Sequence, residues 1–250
     1  VLFDMDGTLT EPRKPFENKL ISSLVALSSK TDIGILTGSD LNYIQQQLQP
    51  VLKSSVIRPR LHLLPCNGTK YYPPTLLGSP LKIEHEINME EKLGTSKFKK
   101  LMTSLIEILS SLDFHGFPLT GHFISYRGSM INFCPIGRNA SNEDRKKFIE
   151  YDNLTIPTYR EKIVEKIETQ LKLKKINHLL SVKLGGATSF DIYPKGWDKT
   201  YALNYFEGWD VWFVGDKCKE GGNDKEIYDL LLEQGRSYET KDPSNKETYS

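Results

Sequence analysis

The chain has little cysteine. Its three, Cys66, Cys134 and Cys218, are odd in number and lack C-x-x-C spacing, which argues against a disulfide framework or a zinc site and for a reducing compartment, the cytoplasm by default. No apolar run approaches the ~18 residues of a membrane span, and no basic-then-apolar leader precedes the first strand. Charge of one sign is missing as well: the formal net charge is +1, so nothing attracts nucleic acid or an anionic membrane in bulk, and any basic site must be local. Arginine is scarce, 8 residues against 25 lysines. Internal repeats are absent. The chain opens on Val1 rather than Met, which leaves upstream residues and a removed leader open, and its polar last ten or so residues are expected to fray or to lead into further chain.

What is present is an ordinary globular composition. With 250 residues, 38% hydrophobic and 26% charged, the chain can bury one large core or two smaller ones. Val1-Leu2-Phe3 reads as a buried strand, Pro15 to Ser29 as a helix carrying Leu20, Ile21, Leu24, Val25 and Leu27, and Ile33 to Leu36 as a second strand. A helix through Leu41, Ile44 and Leu48 and a strand at Leu61 to Leu64 continue the alternation. Such alternation predicts a parallel α/β sheet with ligands at the carboxyl ends of its strands. Beyond the Pro-, Gly- and Tyr-rich segment 65–80 the pattern changes. Helices at 96–112, 141–151 and 159–173 mix with β-prone runs at 122–126, 130–136, 179–184 and 190–193, the first two joined across Arg127-Gly128-Ser129. This predicts an α+β domain inserted over 82–195, within a core formed by 1–81 and 196–250. A helix at 199–206, a strand at 211–214 and a helix at 224–235 return to the first pattern.

Asp4 and Asp6 stand where the first strand must end, in Asp4-Met5-Asp6-Gly7-Thr8-Leu9-Thr10. Two carboxylates that close repel unless a cation or hydrogen bonds compensate. A hard cation such as Mg2+ would relieve the repulsion and leave one carboxylate free to attack phosphorus. The plainer reading is a strand followed by an Asp-Gly turn. Gly215-Asp216-Lys217, close before Gly222-Asn223-Asp224, is a further acidic cluster at a strand end. Thr37 and Ser39 follow the second strand, where they suit either a helix cap or a phosphate oxygen. Arg127, Arg138 and Arg145 fall within 19 residues, and Arg13 lies just after the first motif. In a lysine-rich chain, arginine suggests bidentate recognition of an anion.

The first heptad resembles the opening motif of the haloacid dehalogenase superfamily of phosphotransferases. Extended to Glu11-Pro12-Arg13, it looks like the eukaryotic-type phosphomannomutases within it. Tyr126-Arg127-Gly128-Ser129-Met130-Ile131-Asn132, Pro135-Ile136-Gly137-Arg138, Glu143-Asp144-Arg145 and Gly185-Gly186-Ala187-Thr188-Ser189-Phe190-Asp191 match that family's cap in order. The resemblance implies an α/β fold, a Rossmann-like parallel-sheet core of the haloacid dehalogenase type with an inserted α+β cap. It implies Asp4 as the phosphorylated nucleophile and Asp6 as general acid and base. Mg2+ would be held by Asp4, the Asp6 carbonyl and Asp216, with Asn223 and Asp224 in support. Lys199, in Gly196-Trp197-Asp198-Lys199, would neutralise the phosphoryl group, although a surface lysine is the plain alternative. Arg127, Arg138 and Arg145 would bind the distal phosphate, and Ser189 and Asp191 the sugar hydroxyls. A hexose 1,6-bisphosphate would serve as activator and intermediate, and the protein would dimerise through the cap. Two departures stand out. Cys66-Asn67-Gly68 replaces the family's usual Glu-Asn-Gly, and Asp229-Leu230-Leu231-Leu232 after Tyr228 does not reproduce a segment that binds a further cation. A sugar-phosphate phosphatase on the same fold is the alternative enzyme, but it needs no second phosphate site. A catalytically silent binding protein would be expected to have lost one of the three acids.

Overall fold

The computed structural model describes residues 1–114, 116–154, 156–241 and 248. The chain divides into two compact units, Val1–Ile87 with Gly196–Ser250, and Asn88–Lys195. In the first, β1 (Leu2–Phe3), α1 (Ile21–Ser28), β2 (Ile33–Leu36), α2 (Leu41–Gln47), α3 (Gln49–Leu52) and β3 (Leu61–Leu64) alternate in chain order. The short strands β4 (Lys70–Tyr71) and β5 (His85–Glu86) then pair antiparallel. In the second unit, α4 (Met89–Leu93) and α5 (Thr95–Ser111) precede the hairpin of β6 (Ile124–Tyr126) and β7 (Ile131–Phe133). After α6 (Asn142–Asp152) and α7 (Tyr159–Leu173) come β8 (Leu180–Leu184) and β9 (Phe190–Pro194). The chain closes the first unit with β10 (Phe213–Gly215), α8 (Lys225–Leu232) and β11 (Ser237–Glu239).

The first unit is built on a five-stranded parallel sheet in the order β11-β10-β1-β2-β3. Successive side chains on a strand face opposite sides, so Leu2 and Phe3 enter different cores. Phe3 joins Met5, Leu9, Ile35, Ile44 and Leu48, while Leu2 joins Leu36, Leu64, Phe213 and Ile227. Gly34 is small for a local reason: a Cβ there would meet Leu2 Cδ2 at 2.3 Å. The second unit carries a four-stranded antiparallel sheet in the order β6-β7-β9-β8. Phe148 of α6 packs with Cys134, Ile136 and Ala140 in a cluster of that unit.

Three expectations are corrected. Residues 82–87 lie with the core unit rather than with the insert, because His85 and Glu86 register against Tyr71 and Lys70. The stretch Pro15 to Ser29 is not one helix: a 3-10 turn at Asn18–Leu20 feeds a shorter α1. The run at 130–136 keeps only Ile131–Phe133 as strand, since a reverse turn joins Gly137 N to Cys134 O at 2.9 Å.

Candidate active site

Asp4 leaves the carboxyl end of β1 with its N–H on Val214 O at 2.9 Å, so pairing with β10 fixes its position. The same pairing brings Asp216, one residue past β10, alongside it. Between them the chain turns at Gly7, whose φ of +93° and 2.4 Å gap from a would-be Cβ to Asp216 Oδ2 both require glycine. Asp224, at the head of α8, accepts from Lys217 N at 3.0 Å. Carboxylate oxygens of Asp4, Asp216 and Asp224 lie within 4.8 Å of one another.

Lys199 bridges two of the three acids, while Lys217 lies near enough to Asp216 to act on its charge. Lys199 is wholly buried, and its Nζ donates to Asp4 Oδ1 and to Asp224 Oδ1, each at 2.5 Å. Burial alone would drive the ammonium to lose its proton, but the charges of Asp224 and Asp4 outweigh it and raise its pKa. The three carboxylates still outnumber the two lysines that act on them. Burial therefore pushes the Asp4 carboxyl well above its ordinary value, opposed by Lys199 and reinforced by Asp224 and Asp216. Asp216 moves the same way, again chiefly through burial. Its Oδ1 is buried without a hydrogen-bond partner, an orphaned acceptor of the kind a hard cation satisfies. The donor set, all oxygen and rich in carboxylate, fits Mg2+.

This excess has a measurable consequence. A carboxyl whose folded pKa lies above its unfolded value binds more protons in the folded state, so stability falls as pH rises through the interval between the two values. Without cation, wild type is expected to lose stability relative to Asp216→Asn as pH climbs from 4 toward neutrality. Saturating Mg2+ should flatten that difference, and denaturant titrations across pH check both statements.

Asp6 behaves differently from its neighbour. Its carboxylate is not among the clustered oxygens; Oδ1 accepts from the Arg13 backbone N–H at 2.9 Å and from the Tyr43 hydroxyl at 3.0 Å. Its side chain therefore stands outside the group of acids that could hold a cation. Arg13 takes a left-handed φ of 63° to make that contact, and its residue is exposed. Tyr43 escaped the sequence reading, since a tyrosine on the first turn of α2 reads as an ordinary polar-face residue. Thr37 is buried, and its Oγ1 accepts from Ser39 N at 3.1 Å. Neither residue caps α2: Asp40 does, accepting from Tyr43 N at 2.9 Å.

The second unit gathers most of its sequence-nominated residues into one buried network. Asn132 Nδ2 donates to Asp191 Oδ1 at 2.7 Å and to Ser189 Oγ at 3.0 Å, while its Oδ1 accepts from Arg138 Nη1 at 2.9 Å. Asn132 and Asp191 are register partners across β7 and β9. Asn132 is therefore the hub, and the available signal was a polar residue between Ile131 and Phe133 in an otherwise apolar strand. Arg145 donates to Thr188 Oγ1 at 2.6 Å, to Arg138 O at 2.8 Å and to Ala140 O at 3.2 Å. It braces the loop that carries Arg138. Arg127 sits on the β6–β7 hairpin, its N–H on Met130 O at 2.9 Å.

Among solved structures, an IMP-bound, N-terminally truncated IMP-nucleotidase of Plasmodium falciparum superposes with a TM-score of 0.59 at 13% identity, covering 98% of this chain and 65% of its own. This chain thus spans just under two thirds of that nucleotidase. A trehalose-6-phosphate phosphatase related protein gives 0.52 at 16% identity, covering 93% and 82%. These likenesses show the fold, a parallel-sheet core of the haloacid dehalogenase type with an inserted α+β unit. The phosphomannomutase of Dendrobium officinale is 37% identical over 245 residues, 97% of this chain and 89% of its own. That of Encephalitozoon cuniculi is 38% identical over 231 residues, covering 91% and 83%. The family model for eukaryotic phosphomannomutase matches residues 20–248. With a match of that extent and relatives aligned over nearly their whole length, this chain belongs to the eukaryotic phosphomannomutase family.

Proposed function

We propose that the chain is a phosphomannomutase interconverting mannose 6-phosphate and mannose 1-phosphate, and that it feeds GDP-mannose synthesis. The observation that carries the phosphoryl-transfer chemistry is the wholly buried Lys199 bridging Asp4 and Asp224, beside the unpartnered Asp216 Oδ1. Asp4 is the nucleophile. When it carries a phosphoryl group, a sugar hydroxyl attacks phosphorus, the phosphorus bond to the Asp4 oxygen breaks, and Asp6 accepts the hydroxyl proton. The hexose 1,6-bisphosphate so formed turns round. An Asp4 oxygen then attacks the other phosphorus while Asp6 returns the proton to the departing sugar oxygen. Lys199 offsets charge on both the Asp4 carboxylate and the transferring group, and it does so from a water-excluded position where its field is strong. Mg2+, held by Asp4, Asp216 and the Asp6 carbonyl with Asp224 close by, would supply charge neutralisation at the phosphoryl oxygens when bound.

Arg13, Thr37 and Ser39 contribute to phosphate binding on the core unit. On the cap unit, Arg127, Arg138 and Arg145 hold the distal phosphate, and Ser189 and Asp191 the sugar hydroxyls. The Asn132 network supports this division, because it fixes Ser189, Asp191 and the Arg138 guanidinium to one another. The enzyme acts in the cytoplasm, in keeping with three free, buried cysteines, and it dimerises through the cap. Among the described residues no helix is long and apolar enough to cross a membrane.

The deciding experiment incubates the protein with mannose 1-phosphate, Mg2+ and catalytic hexose 1,6-bisphosphate, and scores mannose 6-phosphate against free phosphate. Mannose 6-phosphate in large excess is expected. Free phosphate alone would make the chain a sugar-phosphate phosphatase.

Arg145→Lys separates the two activities further. An ammonium cannot reproduce contacts to Thr188, Ala140 and Arg138 at once. Loss of one charge-assisted hydrogen bond costs about 1.5 to 3 kcal/mol, or roughly ten- to more than a hundredfold in rate. Mutase flux is expected to fall by that factor, and free phosphate per turnover to rise because the bisphosphate escapes before it turns. Unchanged flux and an unchanged ratio would remove Arg145 from the distal site.

A further inference from the structure

Away from Asp4, at the amino end of the parallel sheet, the core unit holds a buried arginine with little to satisfy it. Arg58 lies in the 3-10 turn Arg58–Arg60 that leads into β3, and it is only 6% exposed. Its Nη2 donates to Ser79 O at 3.3 Å, while its Nε is buried with no hydrogen-bond partner. No carboxylate among the described residues pairs with it. Burial lowers the pKa of its guanidinium. A buried charge without a counter-charge costs several kcal/mol and is rarely kept unless something compensates it.

Arg58 also lines an open surface groove of about 390 Å³, with Gln45, Leu52, Leu77, Pro80 and Leu81. Leu76 and Leu77, adjacent in the strap whose Ser79 O accepts from Arg58, are 68% and 51% exposed. The strap is a turn, closed by Ser79 N on Leu76 O at 3.0 Å, and the contact from Arg58 to Ser79 O ties it down. The Arg58 guanidinium, the exposed amide of Gln45 and the apolar side chains of Leu52, Leu77 and Leu81 line the same open groove.

We propose that this groove binds a small molecule bearing an oxyanion, phosphate or carboxylate, with a short apolar body. The anion pairs with the Arg58 guanidinium, and the apolar part lies against Leu52, Leu77 and Leu81. The site is independent of the catalytic reading: its residues come from α2, α3, the turn before β3 and the 77–81 strap, and none of them belongs to the acid cluster or the arginine network.

Selenate is a suitable first probe, because its selenium can be located by anomalous scattering. A soaked crystal is expected to show a selenium peak that places selenate oxygens within hydrogen-bonding distance of the Arg58 guanidinium. Peaks at other arginines with none at Arg58 would overturn the site. In solution, Arg58→Met keeps an apolar stem and removes the charge, and replacing an uncompensated buried ion in this way is neutral or stabilising. Without polyvalent anions, its unfolding midpoint should equal or exceed that of wild type. Selenate at a hundredfold excess over its dissociation constant should raise the wild-type midpoint roughly 5 to 11 °C more than that of the variant. Since anions bound beside the acid cluster or at the cap stabilise both proteins alike, an equal rise would overturn the proposal. Butyl phosphate should protect wild type at lower concentration than inorganic phosphate does; equal potency would overturn the apolar half.

Discussion

Asp4→Asn is expected to lower mutase turnover by roughly 10⁴-fold or more, the scale on which loss of a catalytic nucleophile registers. The amide keeps the shape of the carboxylate but cannot take up a phosphoryl group. The surroundings of Asp4 add a second, less obvious expectation. Because burial and the neighbouring Asp224 and Asp216 already disfavour its charge, the neutral amide relieves repulsion in the cluster, while Lys199 retains Asp224 as a partner at 2.5 Å. The variant should therefore unfold at a denaturant midpoint no lower than that of wild type in cation-free buffer. Activity and unfolding measured on one preparation separate the cases. Substantial residual turnover would take the nucleophile role from Asp4, and a large fall in stability would show that the carboxylate chiefly holds the fold.

Lys199→Met should have the opposite profile in stability. The methionine fills similar space, but Asp4 and Asp224 lose the only cation that the structure places between them among the described residues. Removing one member of a buried ion pair costs about 3 to 5 kcal/mol because the remaining charge stays desolvated. The unfolding free energy should drop by that amount in cation-free buffer, and millimolar Mg2+ should recover part of it by entering the same cluster. Turnover should remain low even with Mg2+, since the charge that Lys199 brings to the transferring group is gone. If Lys199→Met kept wild-type stability and activity, the lysine would be a bystander and the reading of the site would fail.

These two residues also mark how far the sequence carries. The positions of Asp4 and Asp216 were legible because a β-prone apolar run followed by an acid at its end constrains a side chain through local geometry alone. The inserted unit was legible from the change of pattern, from alternating strand and helix to paired strands. Its first boundary was not: β4 and β5 have two residues each, too few for any periodicity, and only their mutual pairing assigns residues 82–87 to the core. Among the candidate residues of the insert, the arginine cluster and the pair Ser189 and Asp191 were nominated chiefly through resemblance, and the hydrogen bonds that join Arg138, Ser189 and Asp191 through Asn132 had no local signature. The burial of Lys199 could not, since it depends on a contact with Asp4 across 195 residues of chain.

The sequence by itself determined the parallel-sheet grammar, the two acids at strand ends, and the concentration of arginine within the insert. Each of these follows from residue type and short-range periodicity. Only the tertiary structure decided that Asp6 turns from the acid cluster to Tyr43 and the Arg13 backbone, that Asn132 ties Ser189, Asp191 and Arg138 together, and that Arg145 divides its donors among Thr188, Ala140 and Arg138. A hydrogen bond is decided by which atoms come within about 3 Å at the right angle. Strand register and helix packing set that distance, and no local pattern in the chain encodes it.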